Sequence, residues 1–407
     1  MLESEFAARI RQNGGRVFIV GGWVRDSLLG RIPKDKDYVV CGIRESRFQK
    51  LFPAIQKVGH SFPVYLLSIE GVMSEVAFAR REKKNGRGYT GFCVEYDERV
   101  TIEEDLYRRD TTMNSLAIEL PELQLLDPLH GQQDIAEGRI QACSKHFLED
   151  PVRALRAARQ SAELGFLITT DTLQLMSACR DELCEEPAER ILQEMTRALE
   201  SAHPSRFFRS LQEALLLEAV FPEIHALIGK TQPKEFHPEG DAFEHTMHML
   251  DAVAKADTAL AARFAALAHD LGKGTTPKEM EPHHYGHEKR GLEVLGQWNQ
   301  RCVLPREWLE TARFVIQEHM RAPRLEKPGK IVALLLALKR QKISLEDFNQ
   351  IILADHGSLP FYLEKGEYLL KKILLVSGRD CPVEIKGADI GKWMLQQQIR
   401  VYMNEKV

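Results

Sequence analysis

The stretch Val17-Phe18-Ile19-Val20-Gly21-Gly22-Trp23-Val24-Arg25-Asp26-Ser27-Leu28-Leu29-Gly30-Arg31-Ile32-Pro33-Lys34-Asp35-Lys36-Asp37-Tyr38-Val39-Val40 reads as strand, glycine turn, short helix and second strand. Its first four residues are β-branched or aromatic, as in a buried strand. That strand ends at two glycines, where backbone N–H groups can approach an anion closely, and Arg25 follows one turn later. Asp35 and Asp37 lead into the second apolar run. Residues two apart on a strand share a face, so both carboxylates are expected to aim at one spot.

Two oxygen ligands on one face suit Mg²⁺, which keeps several waters and is usually held by one or two carboxylates plus substrate phosphates. Gly-Gly alone is a common tight turn, and Asp-x-Asp alone a common solvated strand entrance. Together they give the inventory for nucleotidyl transfer, in which a 3′-hydroxyl attacks the α-phosphorus of a nucleoside triphosphate. Gly22 and Arg25 are candidates to hold triphosphate oxygens, and Arg109 adds a forked donor matched to phosphate. Glu75, within Ser74-Glu75-Val76-Ala77-Phe78, reads equally as a third carboxylate or as a surface glutamate at a sheet edge.

From Val17 to about Leu126, short β-branched runs (Phe62 to Leu67, Met73 to Phe78, Leu116 to Leu120, Leu123 to Leu126) alternate with polar turns. This predicts an α+β head, residues 1–140, around a small antiparallel or mixed sheet. Beyond Gly131 strands largely vanish. Apolar residues fall at helical spacing over Pro151 to Leu164, Asp171 to Arg180, Ala188 to Ser201 and Arg206 to Ala219, predicting a helical neck and body over 141–222. A proline-marked break near Phe221-Pro222-Glu223 opens a third, histidine-rich helical unit over 223–360, and a helical tail follows over 361–407.

With 407 residues the chain needs several packed units, and 44% hydrophobic with 28% charged residues is a globular composition. No apolar run approaches a bilayer span and the N-terminus is not signal-like, so a cytoplasmic location and no membrane partner are expected. Seven cysteines without a Cys-x-x-Cys pair indicate reduced thiols. A net charge of −4 excludes a protein that coats nucleic acid, so any RNA contact must be local. Basic residues do gather beside the proposed site, at Arg80, Arg81, Lys83, Lys84 and Arg87 and at Arg108, Arg109, Arg153, Arg156 and Arg159.

A helix opening at Asp150-Pro151 would set Arg153, Arg156 and Arg159 at intervals of three, drifting slowly around its surface. An aspartate beside an arginine offers both an acceptor and donors, enough to pair with the Watson–Crick edge of a base.

Four ordered motifs then carry a resemblance. They are Gly21-Gly22-x-Val24-Arg25-Asp26-x-Leu28-Leu29-Gly30 with Asp35-x-Asp37; Arg80-Arg81-Glu82 with Gly88-Tyr89-Thr90-Gly91-Phe92; Glu104-Asp105-Leu106-Tyr107-Arg108-Arg109-Asp110-Thr111-Thr112-Met113-Asn114; and Glu149-Asp150-Pro151-Val152-Arg153-Ala154-Leu155-Arg156. The chain resembles the class II tRNA nucleotidyltransferases, the bacterial CCA-adding enzymes and poly(A) polymerases. The resemblance implies that Asp35 and Asp37 are catalytic and bind Mg²⁺. It also implies that Asp150 and Arg153 act as a protein template selecting CTP and ATP, with Arg156 and Arg159 toward phosphate or base. The polar stretch from Arg80 through Glu82 to Phe92 matches the family's flexible loop, which helps the switch from CTP to ATP.

In the third unit, Ala268-His269-Asp270-Leu271-Gly272-Lys273 resembles the HD phosphohydrolase signature. In that superfamily a distant histidine, the His-Asp pair and a distal aspartate hold a divalent ion that activates water. The candidates are His245, His269, Asp270 and Asp355, and a transition metal such as Ni²⁺ is among those the donors suit. His284, His287 and His319 could bind a second metal or the substrate phosphate, although each taken singly reads as a surface or hydrogen-bonded histidine. The resemblance implies phosphatase and 2′,3′-cyclic phosphodiesterase activities serving tRNA end repair.

The leading expectation is addition of CCA to the tRNA 3′ end from CTP and ATP, with a second, hydrolytic chemistry in the HD unit. Alternatives are a poly(A) polymerase, disfavoured by the short tail, and an HD nucleotide hydrolase with a regulatory nucleotide-binding head. A homodimer through the HD unit is compatible with the sequence, although no motif requires it.

Overall fold

The structure, a computed structural model, describes residues 1–33, 35–58, 63–84, 86, 92–233, 235 and 238–405. The chain forms two compact units, the first comprising Met1–Glu194 with Arg206–Val220 and the second Met195–Ser205 with Phe221–Val407.

The first unit is built on the strands β1 (Arg16–Val20), β2 (Asp37–Cys41), β3 (Gln56–Val58), β4 (Val64–Ile69) and β5 (Val72–Phe78), and on β8 (Ala117–Leu120) and β9 (Gln124–Leu126). They form one mixed seven-stranded sheet in the order β3-β4-β5-β2-β1-β8-β9. Only β2 and β5 run parallel; the other neighbours are antiparallel. A separate two-stranded ribbon joins β6 (Arg81–Lys84) and β7 (Phe92–Glu95).

Strand alternation divides the core between the two faces of the sheet. Val17 and Ile19 of β1, Tyr38 and Val40 of β2, and Val76 and Phe78 of β5 pack with Phe48 and Phe52 on one face. Phe18, Val20, Val39 and Cys41 pack with Ile102 and Leu106 on the other. Burying each large side chain of this kind contributes about 1.5–3 kcal/mol, which fixes the register of the sheet.

Helix α1 (Gly22–Leu28) leaves β1 at Gly21, whose φ of +75° lies in the region glycine tolerates. Helix α2 (Ile102–Tyr107) starts at Thr101, whose hydroxyl accepts from the Glu104 N–H while the Glu104 carboxylate accepts from the Thr101 N–H. Helix α3 (Val152–Leu164) begins after Pro151 and stops at Gly165 in the left-handed conformation. Helix α4 is Ala188–Glu200. The helix expected over Arg206 to Ala219 is two, Ser205–Glu213 and Leu217–Val220, because Leu215 between them has a φ of +58°. Phe62 lies outside the described residues, and the strand expected around it runs over Val64–Ile69.

The second unit is helical: α5 (Ala242–Lys255), α6 (Leu260–Ala268), α7 (His287–Arg301), α8 (Arg306–Glu318) and α9 (Leu345–His356), followed by Gly366–Leu374 and Ala388–Glu405. Asp241 caps α5, accepting from the N–H groups of Phe243 and Glu244. The core stacks Phe264 on Trp308 at 5.0 Å and against Trp298 at 5.4 Å. Among the described residues no helix is long and apolar enough to cross a membrane.

Candidate functional site

The head site is a cavity of about 350 Å³ over the β2–β5 face of the sheet. In the parallel register Asp37 stands directly beside Glu75, and both line the cavity. Strand β5 is flanked by β4 and β2, so Glu75 is not the edge residue that was one of its two readings. Among the described residues neither carboxylate makes a hydrogen bond or ion pair. Partial desolvation at the cavity floor, reinforced by the charge of Glu75, pushes the Asp37 carboxyl above the usual aspartate range, with Arg109 opposing.

Asp35 is not part of the strand. The β1 ladder runs out at the Val20–Asp37 pair, so β2 begins at Asp37 and Asp35 lies in the exposed segment before it, off the cavity lining. Its charge still reaches Asp37.

The cationic wall comes from α2 and the residues after it. Asp105, fully buried on α2, receives Arg108 at 2.6 Å and Arg109 at 2.9 Å, the i,i+3 and i,i+4 neighbours on one helix face. Burial alone would raise the Asp105 carboxyl, but Arg108 and Arg109 hold it well below the usual range. A Cβ on Gly21 would lie 3.3 Å from Arg109 Nη1, so the bare glycine lets the guanidinium sit close to the turn.

Glu82 of β6 is a second hub. It accepts from Arg80 at 2.8 Å, Arg108 at 2.8 Å and Arg153 at 3.2 Å. Burial and the neighbouring Arg108 push the Arg80 guanidinium down to about 10. Arg80 and Glu82 are therefore anchored, and the segment expected to be mobile is a paired ribbon over Arg81–Lys84 and Phe92–Glu95. The Gly88-Tyr89-Thr90-Gly91 part of that expectation lies outside the described residues.

The pair expected to select the base is also tied down. Asp150 accepts from Arg190 Nη2 at 2.9 and 3.1 Å and from the Val152 N–H at 3.2 Å. Arg153 also donates to the His146 carbonyl. Arg156, whose Nε donates to Asp110 at 2.7 Å, has its pKa raised chiefly by that charge. Asp150, Arg153 and Arg156 all line the cavity, as do Gly22 and Arg109.

Two expected members do not. Arg25 turns its guanidinium to Asp26 and to Asn114 Oδ1 at 2.9 Å, so it buttresses Asn114, which lines the cavity, instead of lining it. Arg159 is held by Glu194 at 2.6 Å and Glu163 at 2.5 Å and does not line the cavity. Both corrections have one cause, a buried guanidinium binding whatever acceptors the fold delivers. Sequence reasoning assigned no role to Asp105, Asp110 or Arg190, and placed Arg108 only in a basic cluster beside the site. The Asp105 helix pairs were open to it through their i,i+3 and i,i+4 spacing, whereas the link of Arg190 to Asp150 spans 40 residues and has no local signal.

The second unit brings its ligand candidates together more tightly. One ligand atom each from His245, His269 and Asp270 lie within 4.8 Å of one another, and so do those of Asp270, His287 and His319. Asp270 thus belongs to two groups. Asp355 Oδ1 lies 3.2 Å from His245 Nε2. Glu239 accepts from His245 Nδ1 at 2.6 Å, while the carbonyl of Ala266 accepts from His269 Nδ1 at 2.7 Å, leaving each Nε2 turned inward.

Gly272 makes this convergence possible. A Cβ there would fall 1.9 Å from the His287 carbonyl oxygen, so the turn after Asp270 can lie against the start of α7 only as glycine. His287 and His319 are buried and hydrogen-bonded, with Nε2 atoms 3.2 Å apart, so of their two readings the surface one does not hold. His284 is hydrogen-bonded on both sides, to Thr276 and to the Thr231 carbonyl, each at 2.9 Å.

His269 Nε2, both Asp270 oxygens and Asp355 Oδ2 are buried without a well-directed hydrogen bond, although charged neighbours lie within ion-pair reach. Atoms that converge without bonding one another fit a shared cation. Burial alone would raise the Asp270 carboxyl, yet His269 and Lys273 hold it well below the ordinary range, and burial pushes His269 down.

Comparison with known proteins agrees with this layout. The poly A polymerase head domain family matches residues 17–141, the family described as the probable RNA and SrmB-binding site of polymerase A matches 165–228, and the HD domain family matches 242–360. The multifunctional CCA protein of Shewanella denitrificans is 43% identical over 309 residues, 75% of this chain and 74% of that one. That of Acinetobacter baumannii is 38% identical over 403 residues, 94% of this chain and 96% of its own length. The crystal structure of the Bacillus stearothermophilus CCA-adding enzyme in complex with CTP shares the fold, with a TM-score of 0.68 at 23% identity, covering 98% of this chain and 92% of that one. The chain belongs to the multifunctional CCA proteins, a family of CCA tRNA nucleotidyltransferases that carry an HD domain.

Proposed function

We propose that the head adds CCA to the 3′ end of tRNA from CTP and ATP. The observation that carries this reading is the pairing of Asp37 with Glu75 on the floor of a cavity whose wall presents Arg109, Asp150, Arg153 and Arg156. Two neighbouring carboxylates without partners repel each other unless a cation intervenes, so Asp37 and Glu75, with Asp35 nearby, fit Mg²⁺. Bound magnesium would supply charge neutralisation at the triphosphate and activation of the attacking 3′-hydroxyl.

The chain's own residues position the reactants. Arg109, held by Asp105, offers its remaining donors to the triphosphate beside the Gly21–Gly22 turn. Asp150, oriented by Arg190, accepts from the exocyclic amino group that cytosine and adenine have in common, and Arg153 donates to the acceptors beside it. Uracil and guanine present a carbonyl at that edge, which meets the Asp150 carboxylate unpaired. The salt links of Glu82 to Arg153, Arg108 and Arg80 couple the β6–β7 ribbon to this selection.

In the second unit His245, His269, Asp270 and Asp355 hold a divalent ion, with Ni²⁺ among the metals the donors suit, and His287 and His319 extend the set. The bound ion would lower the pKa of water for attack on phosphorus. The reaction is hydrolysis of a phosphomonoester or 2′,3′-cyclic phosphodiester. The water oxygen bonds to phosphorus, one P–O ester bond breaks, and the proton from water ends on the departing oxygen.

The test is tRNA lacking its CCA end incubated with purified protein and labelled CTP, labelled ATP, or both. The reading expects C incorporation from CTP alone and a terminal A only when both are present. Absence of C incorporation sinks it, and A runs from ATP alone favour the poly(A) polymerase alternative.

A further inference from the structure

Between the turn that carries Lys278–Met280 and helix α7, the chain buries every third side chain and exposes those between. His284 and His287 are buried, while His283 and Tyr285 are exposed, Tyr285 by 72%. The inward residues pin the segment: His284 bonds Thr276 and Thr231, and the His287 ring bonds the His284 carbonyl at 2.9 Å. Arg290 fastens it from α7, donating to the Tyr285 carbonyl at 2.8 Å and to Thr276 Oγ1 at 2.9 Å.

On this fixed mount the rings of His283 and Tyr285 stack, with centroids 5.5 Å apart and planes 22° from parallel. Both rings line a cavity of about 800 Å³ that also includes His287 and Asp355 of the ligand cluster. A phosphate group fills only a small part of such a space, which is of the size that accommodates a ligand of several hundred Å³. Arg324 lines the same cavity, and its guanidinium has no partner among the described residues.

We propose that the stacked His283–Tyr285 pair is a base-stacking platform that makes the HD site specific for phosphoesters carrying a nucleobase. The base lies on the exposed ring, the phosphorus lies over the histidine–aspartate cluster, and Arg324 meets phosphate oxygens on the opposite side. Every base has a π-face, so the platform selects for a nucleoside and tolerates any of the four. The inference rests on the hydrolytic reading of this unit and adds to it the residues that choose the substrate.

The test uses the full chain loaded with Mn²⁺ and two substrates with the same five-membered cyclic phosphodiester, adenosine 2′,3′-cyclic phosphate and glycerol 1,2-cyclic phosphate. Tyr285→Ala is expected to lower kcat/KM for the adenosine substrate roughly tenfold, mainly through KM, and to leave the glycerol substrate unchanged. Tyr285→Phe keeps the wild-type preference. A second readout is equilibrium binding of adenosine 2′-phosphate to the metal-free protein, expected to weaken in Tyr285→Ala alone; the head contributes the same background throughout. Equal treatment of both substrates by Tyr285→Ala, whether unchanged or equally impaired, overturns the platform. Should wild type hydrolyse neither substrate, the hydrolytic reading fails, and the binding measurement still decides the platform: dependence on Tyr285 supports it, independence overturns it.

Discussion

The head cavity and the histidine cluster both gather acids and bases, but they leave opposite partners unsatisfied. In the head the cations are tied: Arg108 and Arg109 to Asp105, Arg153 to Glu82, Arg156 to Asp110. The open groups are the acids Asp37 and Glu75. In the second unit acids and imidazoles crowd within 4.8 Å, and buried ligand atoms of both kinds lack directed bonds. A cavity that receives a polyanion needs guanidiniums fixed in direction yet with spare donors, and hub carboxylates achieve that. A site for a small cation needs converging lone pairs, which buried histidine and aspartate provide.

The comparison can be broken most severely at Asp105. Asp105→Asn leaves Arg108 and Arg109 facing a neutral, buried amide, and an uncompensated buried charge costs about 3–5 kcal/mol. Urea unfolding should register that loss in the first unit; a midpoint matching wild type would mean the hub does not organise the wall. Next is Asp270→Asn in the second unit, expected to weaken divalent-metal binding by about a hundredfold in a titration while CCA addition proceeds. Unaltered metal affinity would remove Asp270 from the ligand set.

A smaller effect is expected from Glu82→Gln, which removes the carboxylate partner of Arg153 and uncouples the ribbon. Selection of CTP and ATP over UTP and GTP should fall by roughly tenfold, because one charge-assisted contact of about 1.5 kcal/mol is involved. Competition assays with mixed triphosphates measure it, and unchanged selectivity would separate the ribbon from base choice.

The pH dependence is the finest distinction. The Asp105 and Asp110 carboxyls are depressed in the folded protein, so their stabilisation is fully present above the unfolded carboxylate range near pH 4 and is lost as pH falls through the folded values. Wild type should therefore lose stability progressively below about pH 4. Asp105→Asn should flatten that acid limb in denaturant midpoints taken across pH.

Much of this layout was legible in the chain. The glycine turn after Val17–Val20 and the helix that follows Asp150 follow from local periodicity and turn residues, and the order His245, His269-Asp270, Asp355 from the resemblance to the HD signature. What stayed hidden depended on distant pairing. Asp35 lies outside β2 because the ladder ends where β1 does, and Glu75 gained its place only through the parallel pairing of β5 with β2. Arg25 and Arg159 left the cavity for acceptors 89 and 35 residues away. The approach of His287 to Asp270 was hidden because it requires Gly272 to admit the backbone of α7.

The central claim is that one chain carries two chemistries on separate residues. Its most direct test compares Asp37→Ala with His269→Ala for both activities in the same preparations: nucleotide addition to tRNA lacking CCA, and hydrolysis of adenosine 2′,3′-cyclic phosphate. Asp37→Ala should lose addition and keep hydrolysis, and His269→Ala should do the reverse. Addition that survives Asp37→Ala, or either substitution silencing both reactions in a folded protein, would contradict the claim.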